Sequence, residues 1–90
     1  MQAAAALEKQ QKYAEAIQAY QAALRWVPKD ARATAALRNV EFTQHMAEGR
    51  KGLTAKRFAD AAREFEEALK LFPNNPEAAK ALKQAREGRP

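Results

Sequence analysis

The sequence has no cysteine and no serine, and only three glycines and four prolines in 90 residues. Without cysteine there is no disulfide, no thiolate metal site and no sulfur nucleophile. Without serine a Ser-His-Asp triad cannot be assembled. Histidine occurs once, at position 45. A lone imidazole, with no thiolate and no paired carboxylate suggested by the sequence, makes a poor metal site and reads as a surface or interface side chain. β-branched residues are few and never alternate with polar ones, so no strand is expected. No apolar run approaches the length that spans a bilayer. Met1 leads into alanines without the basic stretch of a secretory leader. Together with the missing cysteine, this sets the expectation of a cytoplasmic protein without a membrane partner.

Alanine supplies about a quarter of the residues, which favours helix but buries little area per side chain. The expected class is all-α. Ninety residues make at most one small domain with a limited core. The formal charge is +5, spread among interleaved acidic and basic side chains. It gives a mild preference for acidic partners. It lacks the broad basic stripe with aromatic platforms that nucleic acid requires.

One phrase occurs twice. Tyr13, Ala16, Tyr20, Ala23, Leu24 and Pro28 reappear 45 residues later as Phe58, Ala61, Phe65, Ala68, Leu69 and Pro73. Positions 13, 16, 20, 23, 24 and 27 fall on one stripe of a helix. Small Ala16 and Ala61 suit close approach of a neighbouring helix, with the aromatics filling the space beside it. The prolines end each phrase.

The order aromatic, alanine, aromatic, alanine, proline resembles the second helix of a tetratricopeptide repeat, and both copies carry all five landmarks. The resemblance implies a tetratricopeptide-like α-α superhelix of antiparallel hairpins covering nearly the whole chain. Five helices are expected. Repeat 1 covers about 1–29, with a first helix over 2–10 lacking its opening turn, as in an excised piece. A long shared helix over about 31–54 leads into repeat 2 at 55–74, and a capping helix covers 75–87. Family repeats are ordinarily 34 residues, so these copies lie eleven further apart.

Eleven residues make close to three helical turns, and no helix breaker lies between Ala31 and Glu48. A single helix over 31–54 therefore absorbs the excess; the alternative is two helices broken near Asn39–Thr43. Ala33, Ala36, Leu37 and Val40 form one face, and Phe42, Met46, Gly49 and Leu53 another, roughly 160° around the axis at 100° per residue. The first face should pack on the first phrase and the second on the second. Asp30 and Asn75 are placed to cap the helices that follow, with Pro76 at a first helical position and Glu77 in the first turn. Ala78, Ala81, Leu82 and Ala85 form the buried stripe of the last helix.

Little chemistry is available. Glu64, Glu66 and Glu67 do not converge on one point of a helix and read as a solvated face. Glu48 near two glycines lacks the strand and spacing of a phosphate loop. Arg50, Lys51, Lys56 and Arg57 form the main basic cluster, read either as a helix end favoured by the dipole or as a rim for an acidic peptide or phosphate. Trp26, close to Pro28, is expected to pack rather than to stand exposed as a hot spot.

No catalytic constellation is present, and neither a cofactor nor a metal is expected. The family resemblance implies a protein–protein interaction scaffold whose inner wall holds a peptide or helix of a partner. That wall would draw on Gln2, Ala5, Glu8 and Lys9 from the first helix. The long helix would add Arg32, Ala35, Asn39, Thr43, Met46, Arg50 and Leu53. The last helix would add Lys80 and Gln84. Some family members grip a peptide carboxylate with a lysine–asparagine clamp; alanines stand at several of the matching places here, so the clamp is not carried over. The competing reading is a structural, self-assembling repeat that dimerises through exposed apolar faces or hairpin exchange. The regular phrase and the alanine content also fit a consensus-like, engineered sequence with no natural ligand.

Overall fold

A computed structural model describes residues 12–88, and its described residues contain helices and turns only. Four helices are present: α1 (Tyr13–Trp26), α2 (Ala31–Thr54), α3 (Phe58–Leu71) and α4 (Pro76–Arg86). The expected helix over 2–10 lies outside the described residues. None of the helices described is long and apolar enough to cross a membrane. The chain divides into two compact units, Met1–Glu41 and Phe42–Pro90, with the division inside α2. α2 runs unbroken from Ala31 to Thr54, so the break considered near Asn39–Thr43 does not occur. Single weak helix formers do not end a helix whose neighbours favour it.

In the first unit, Ala16 and Tyr20 of α1 pack against Val40 of α2, with Tyr13, Ile17, Ala19, Ala36 and Leu37 around them. Asp30 starts α2: its carboxylate accepts from the backbone N–H of Arg32 at 2.9 Å and of Ala33 at 3.3 Å. This satisfies amides that have no partner within the helix.

In the second unit, Met46 and Leu53 of α2 meet Ala61, Phe65 and Ala68 of α3 and Ala78, Ala81, Leu82 and Ala85 of α4. Phe42 meets Phe72 edge to face, with ring centroids 5.2 Å apart and planes at 85°, the geometry that aromatic quadrupoles favour. Asn75 caps α4 by accepting from the Ala78 N–H at 3.0 Å, and Pro76 takes the first helical position, where its missing N–H costs nothing.

The repeated phrase is repeated as backbone. α1 and α3 have 14 residues each. Lys12 enters the first at φ −93°, ψ 67° and Arg57 the second at φ −93°, ψ 72°. Val27 leaves at φ −132°, ψ 81° and Phe72 at φ −135°, ψ 84°. The N–H of each exit residue donates to the carbonyl of the alanine four residues back, Ala23 or Ala68, at 3.1 Å.

α2 and α3 approach closely where side chains are smallest. A Cβ added at Gly49 would overlap the Phe65 ring, and one at Gly52 would lie 3.0 Å from the Ala61 Cβ and 3.2 Å from its backbone. At Gly52 any side chain would press on the Ala61 backbone, which would have to give by a few tenths of an ångström. α2 then closes in a Schellman-type turn: the Lys56 N–H donates to the Leu53 carbonyl at 3.1 Å and the Arg57 N–H to the Gly52 carbonyl at 2.7 Å. Lys56 carries the left-handed conformation of that turn, at φ 61°, which glycine adopts without the Cβ penalty.

In an open helix position Gly→Ala gains about 1 kcal/mol. At Gly49 the sign reverses: Gly49→Ala destabilises the second unit by about 1–3 kcal/mol, because the Phe65 ring must move. Urea unfolding followed by circular dichroism measures this, and an unchanged or raised midpoint contradicts the close crossing. Lys56→Gly has the opposite effect, raising stability by about 0.5–1 kcal/mol through relief of the left-handed backbone, read as a higher melting temperature.

Candidate functional site: a groove between α2 and α4

The site lies within the second unit. The exposed edges of α2 and α4 leave a groove of about 230 Å³ lined by Arg50, Leu53, Glu77, Lys80, Ala81 and Gln84. Arg50 and Leu53 are three residues apart on α2. On α4, positions 77, 80, 81 and 84 follow the i, i+3, i+4, i+7 spacing of one helix face. Leu53 and Ala81, largely buried in the core, supply an apolar floor. Arg50 and Lys80 supply cations at the rim. The Arg50 guanidinium stands 3.6 Å from the Glu77 carboxylate, with 62% and 75% of the two side chains exposed. A pair so exposed is weak, because water and salt screen it, and either partner can turn to a ligand at little cost.

Of the thirteen residues expected on a binding wall, Gln2, Ala5, Glu8 and Lys9 lie outside the described residues, Ala35 is exposed on the part of α2 that belongs to the first unit, and the structure brings Arg50, Leu53, Lys80 and Gln84 together. Thr43 is exposed on α2 outside this groove. Arg32 and Asn39 are exposed on the part of α2 that belongs to the first unit. Met46 is buried in the core; it lies on the stripe that faces α3, so it serves packing and offers no contact surface. Glu77 and Ala81 belong to the groove although the sequence reading assigned them only to the first turn and the core. Their i, i+4 spacing, continued to Gln84, was the available signal.

A larger cleft of about 460 Å³ lies on another side of the α2–α3 hairpin, lined by Glu48, Lys51, Gly52, Ala55, Arg57, Asp60, Arg63 and Glu64. The basic cluster is thus divided: Arg50 faces the groove, Lys51 and Arg57 the cleft, and Lys56 the turn. The cleft's three cations are balanced by its three carboxylates, and two of these are engaged. Glu48 pairs with Lys51 at 3.5 Å, and Glu64 with His45 at 2.7 Å. Its lining charges cancel, so despite its size it offers a charged partner no preference.

His45 does have a paired carboxylate, contrary to the sequence reading. Its Nδ1 lies 2.7 Å from Glu64 Oε1, with 29% and 34% of the side chains exposed. An ionised carboxylate only accepts, so the Nδ1 carries the proton and donates. The bond ties α2 to α3 across 19 residues of sequence. The other two carboxylates of that stretch go elsewhere, Glu66 to Arg86 at 3.6 Å and Glu67 to Lys70 at 3.0 Å. The Lys70 hydrogen bond, with the lysine's charge, holds the Glu67 carboxyl below its ordinary range. The three glutamates thus point to three partners, as their spacing predicts. Trp26 is 88% exposed and Val27 54% exposed, which corrects the expectation that Trp26 packs. Trp26 lies about 120° around α1 from buried Tyr20 at 100° per residue, and Val27 is past the helix end.

No protein-family model matches the chain, and no curated protein or solved structure does either.

The weakness of the Arg50–Glu77 pair is measurable. A double-mutant cycle of Arg50→Ala and Glu77→Ala should give a coupling of about 0–0.5 kcal/mol at physiological salt. A coupling above about 1 kcal/mol would mean that the pair locks the groove shut.

Proposed function

We propose that this chain is a tetratricopeptide-like repeat unit that acts as a protein–protein interaction module, binding a peptide or helix of a partner protein in the groove between α2 and α4. The groove carries this reading: an apolar floor of Leu53 and Ala81 beneath the cationic rim of Arg50 and Lys80. Its size admits a small apolar side chain, and its rim favours a neighbouring carboxylate. The repeated hairpin and the small-residue crossing at Gly49 and Gly52 support the tetratricopeptide-like α-α superhelix that goes with it. A cytoplasmic, non-enzymatic scaffold acting without cofactor, membrane or nucleic acid is part of the same proposal. The competing reading is self-assembly into a homodimer, and the exposed Trp26 and Val27 are the observation on its side.

Selection of a random peptide library on the chain tests the groove. Selected peptides should place an acidic residue beside a small apolar one, and Arg50→Glu with Lys80→Glu should weaken them by roughly tenfold or more. Equal binding by the reversed variant excludes the groove as the site. Molar mass by light scattering across a concentration series separates the competing reading: a stable dimer supports self-assembly and a monomer of 10.0 kDa supports the module.

A further inference from the structure

The groove between α2 and α4 has one carboxylate among its lining residues, Glu77, and two cations, Arg50 and Lys80. The two cations are not equivalent. Arg50 reaches Glu77 from the opposite wall, at 3.6 Å. Lys80 lies about one turn further along α4 and has no carboxylate partner among the described residues. Four other glutamates of this unit form ion pairs away from the groove: Glu48 with Lys51, Glu64 with His45, Glu66 with Arg86 and Glu67 with Lys70. Glu77 therefore puts a negative charge on the recognition surface itself. It sits in the first turn of α4, where the helix dipole favours a carboxylate even when its cation turns away. A ligand carboxylate drawn to Arg50 and Lys80 thus meets Glu77 beside its own charge.

We propose that Glu77 sets the selectivity of the groove: the partner presents a helix with a basic side chain one turn from its acidic one, and a purely acidic segment is disfavoured. This rests on the groove being the binding site. The spacing of the charges along the groove decides the class of partner. Glu77 and Lys80 are three residues apart, about 4.5 Å of rise along α4. On a partner helix, side chains three or four residues apart are neighbours at a similar spacing. In an extended segment the nearest side chains on one side lie about 7 Å apart, which overshoots. With an acid of the partner helix opposite Lys80, a base one turn away lies opposite Glu77. The Arg50 guanidinium, released from its weak pair, joins Lys80 on the incoming acid, and the incoming base takes its place on Glu77. A small apolar side chain between the two meets Leu53 and Ala81. A second acid in place of the base would face Glu77, and like charges across an interface are costly.

Fluorescence anisotropy with two labelled peptides tests this, both held helical by a staple on the face away from the groove. They differ at one position: four residues from a shared glutamate, one carries lysine and the other a second glutamate. The chain's net charge of +5 attracts the diacidic peptide more strongly at long range, so a preference for the mixed peptide is a local effect. The mixed peptide should bind the wild-type chain roughly threefold or more tighter than the diacidic one. Glu77→Gln, folded by circular dichroism, should reverse the order, because the second acid then meets cations alone. Glu66→Gln makes the same change in net charge outside the groove and should keep the wild-type order. A wild-type preference for the diacidic peptide overturns the proposal, as does an unchanged order in Glu77→Gln; either leaves the groove standing as the site. Binding undiminished by Arg50→Glu with Lys80→Glu, or no binding of either peptide, removes the groove reading and the proposal with it.

Discussion

Two missing Cβ atoms set the distance between α2 and α3 in the second unit. Gly49 leaves room for the ring of Phe65, and Gly52 for the Cβ and backbone of Ala61. The contact is reciprocal: the aromatic needs the glycine, and the alanine keeps its own side of the crossing shallow. Phe65 is fully buried as a result, a gain of about 1.5–3 kcal/mol from its apolar surface. Arg50 and Leu53 each follow one of these glycines in sequence, so the crossing that seats α3 also fixes where α2 presents its groove residues. α4 completes the unit by laying Ala78, Ala81, Leu82 and Ala85 on the same core, and its exposed edge becomes the other wall.

α2 serves two cores with two stripes. Ala36, Leu37 and Val40 belong to the first core, and Phe42, Met46 and Leu53 to the second. Averaged along its length the helix is not amphipathic, yet each half is. A whole-helix pattern would call it a surface element without a core face. The division between the compact units falls where one stripe gives way to the next, between Glu41 and Phe42.

Local features of this fold were legible in the sequence. The bounds of α2, the Asp30 and Asn75 caps, the buried stripe of α4 and the two faces of α2 follow from periodicity, capping chemistry and proline placement. These are properties of residues within a few positions of one another. What the sequence reading missed depends on tertiary register. The His45–Glu64 bond joins residues on different helices, and no spacing rule within one helix predicts it. Lys56 holds a left-handed turn because the α2–α3 connection needs that conformation, not because lysine prefers it. Met46 faced both readings, wall and core, and only the position of α3 decides between them. Four residues of the expected binding wall meet in one groove because Arg50 and Leu53, and Lys80 and Gln84, share a helix face that periodicity does reveal. Glu77 belongs to that face too, but its role as a first-turn acid hid the other.

Repetition itself separates scaffold from recognition. Where two copies share a backbone to within a few degrees, what is common to them explains the shape, and what differs must be explained otherwise. Alanine at the helix crossing, the aromatic four residues on and the closing proline are common, and all three act on packing or chain direction. The differences gather at the helix end: tryptophan for leucine, valine for phenylalanine, alanine for the acid that neutralises the basic residue. The second copy shows that the same backbone accommodates a covered and neutralised end.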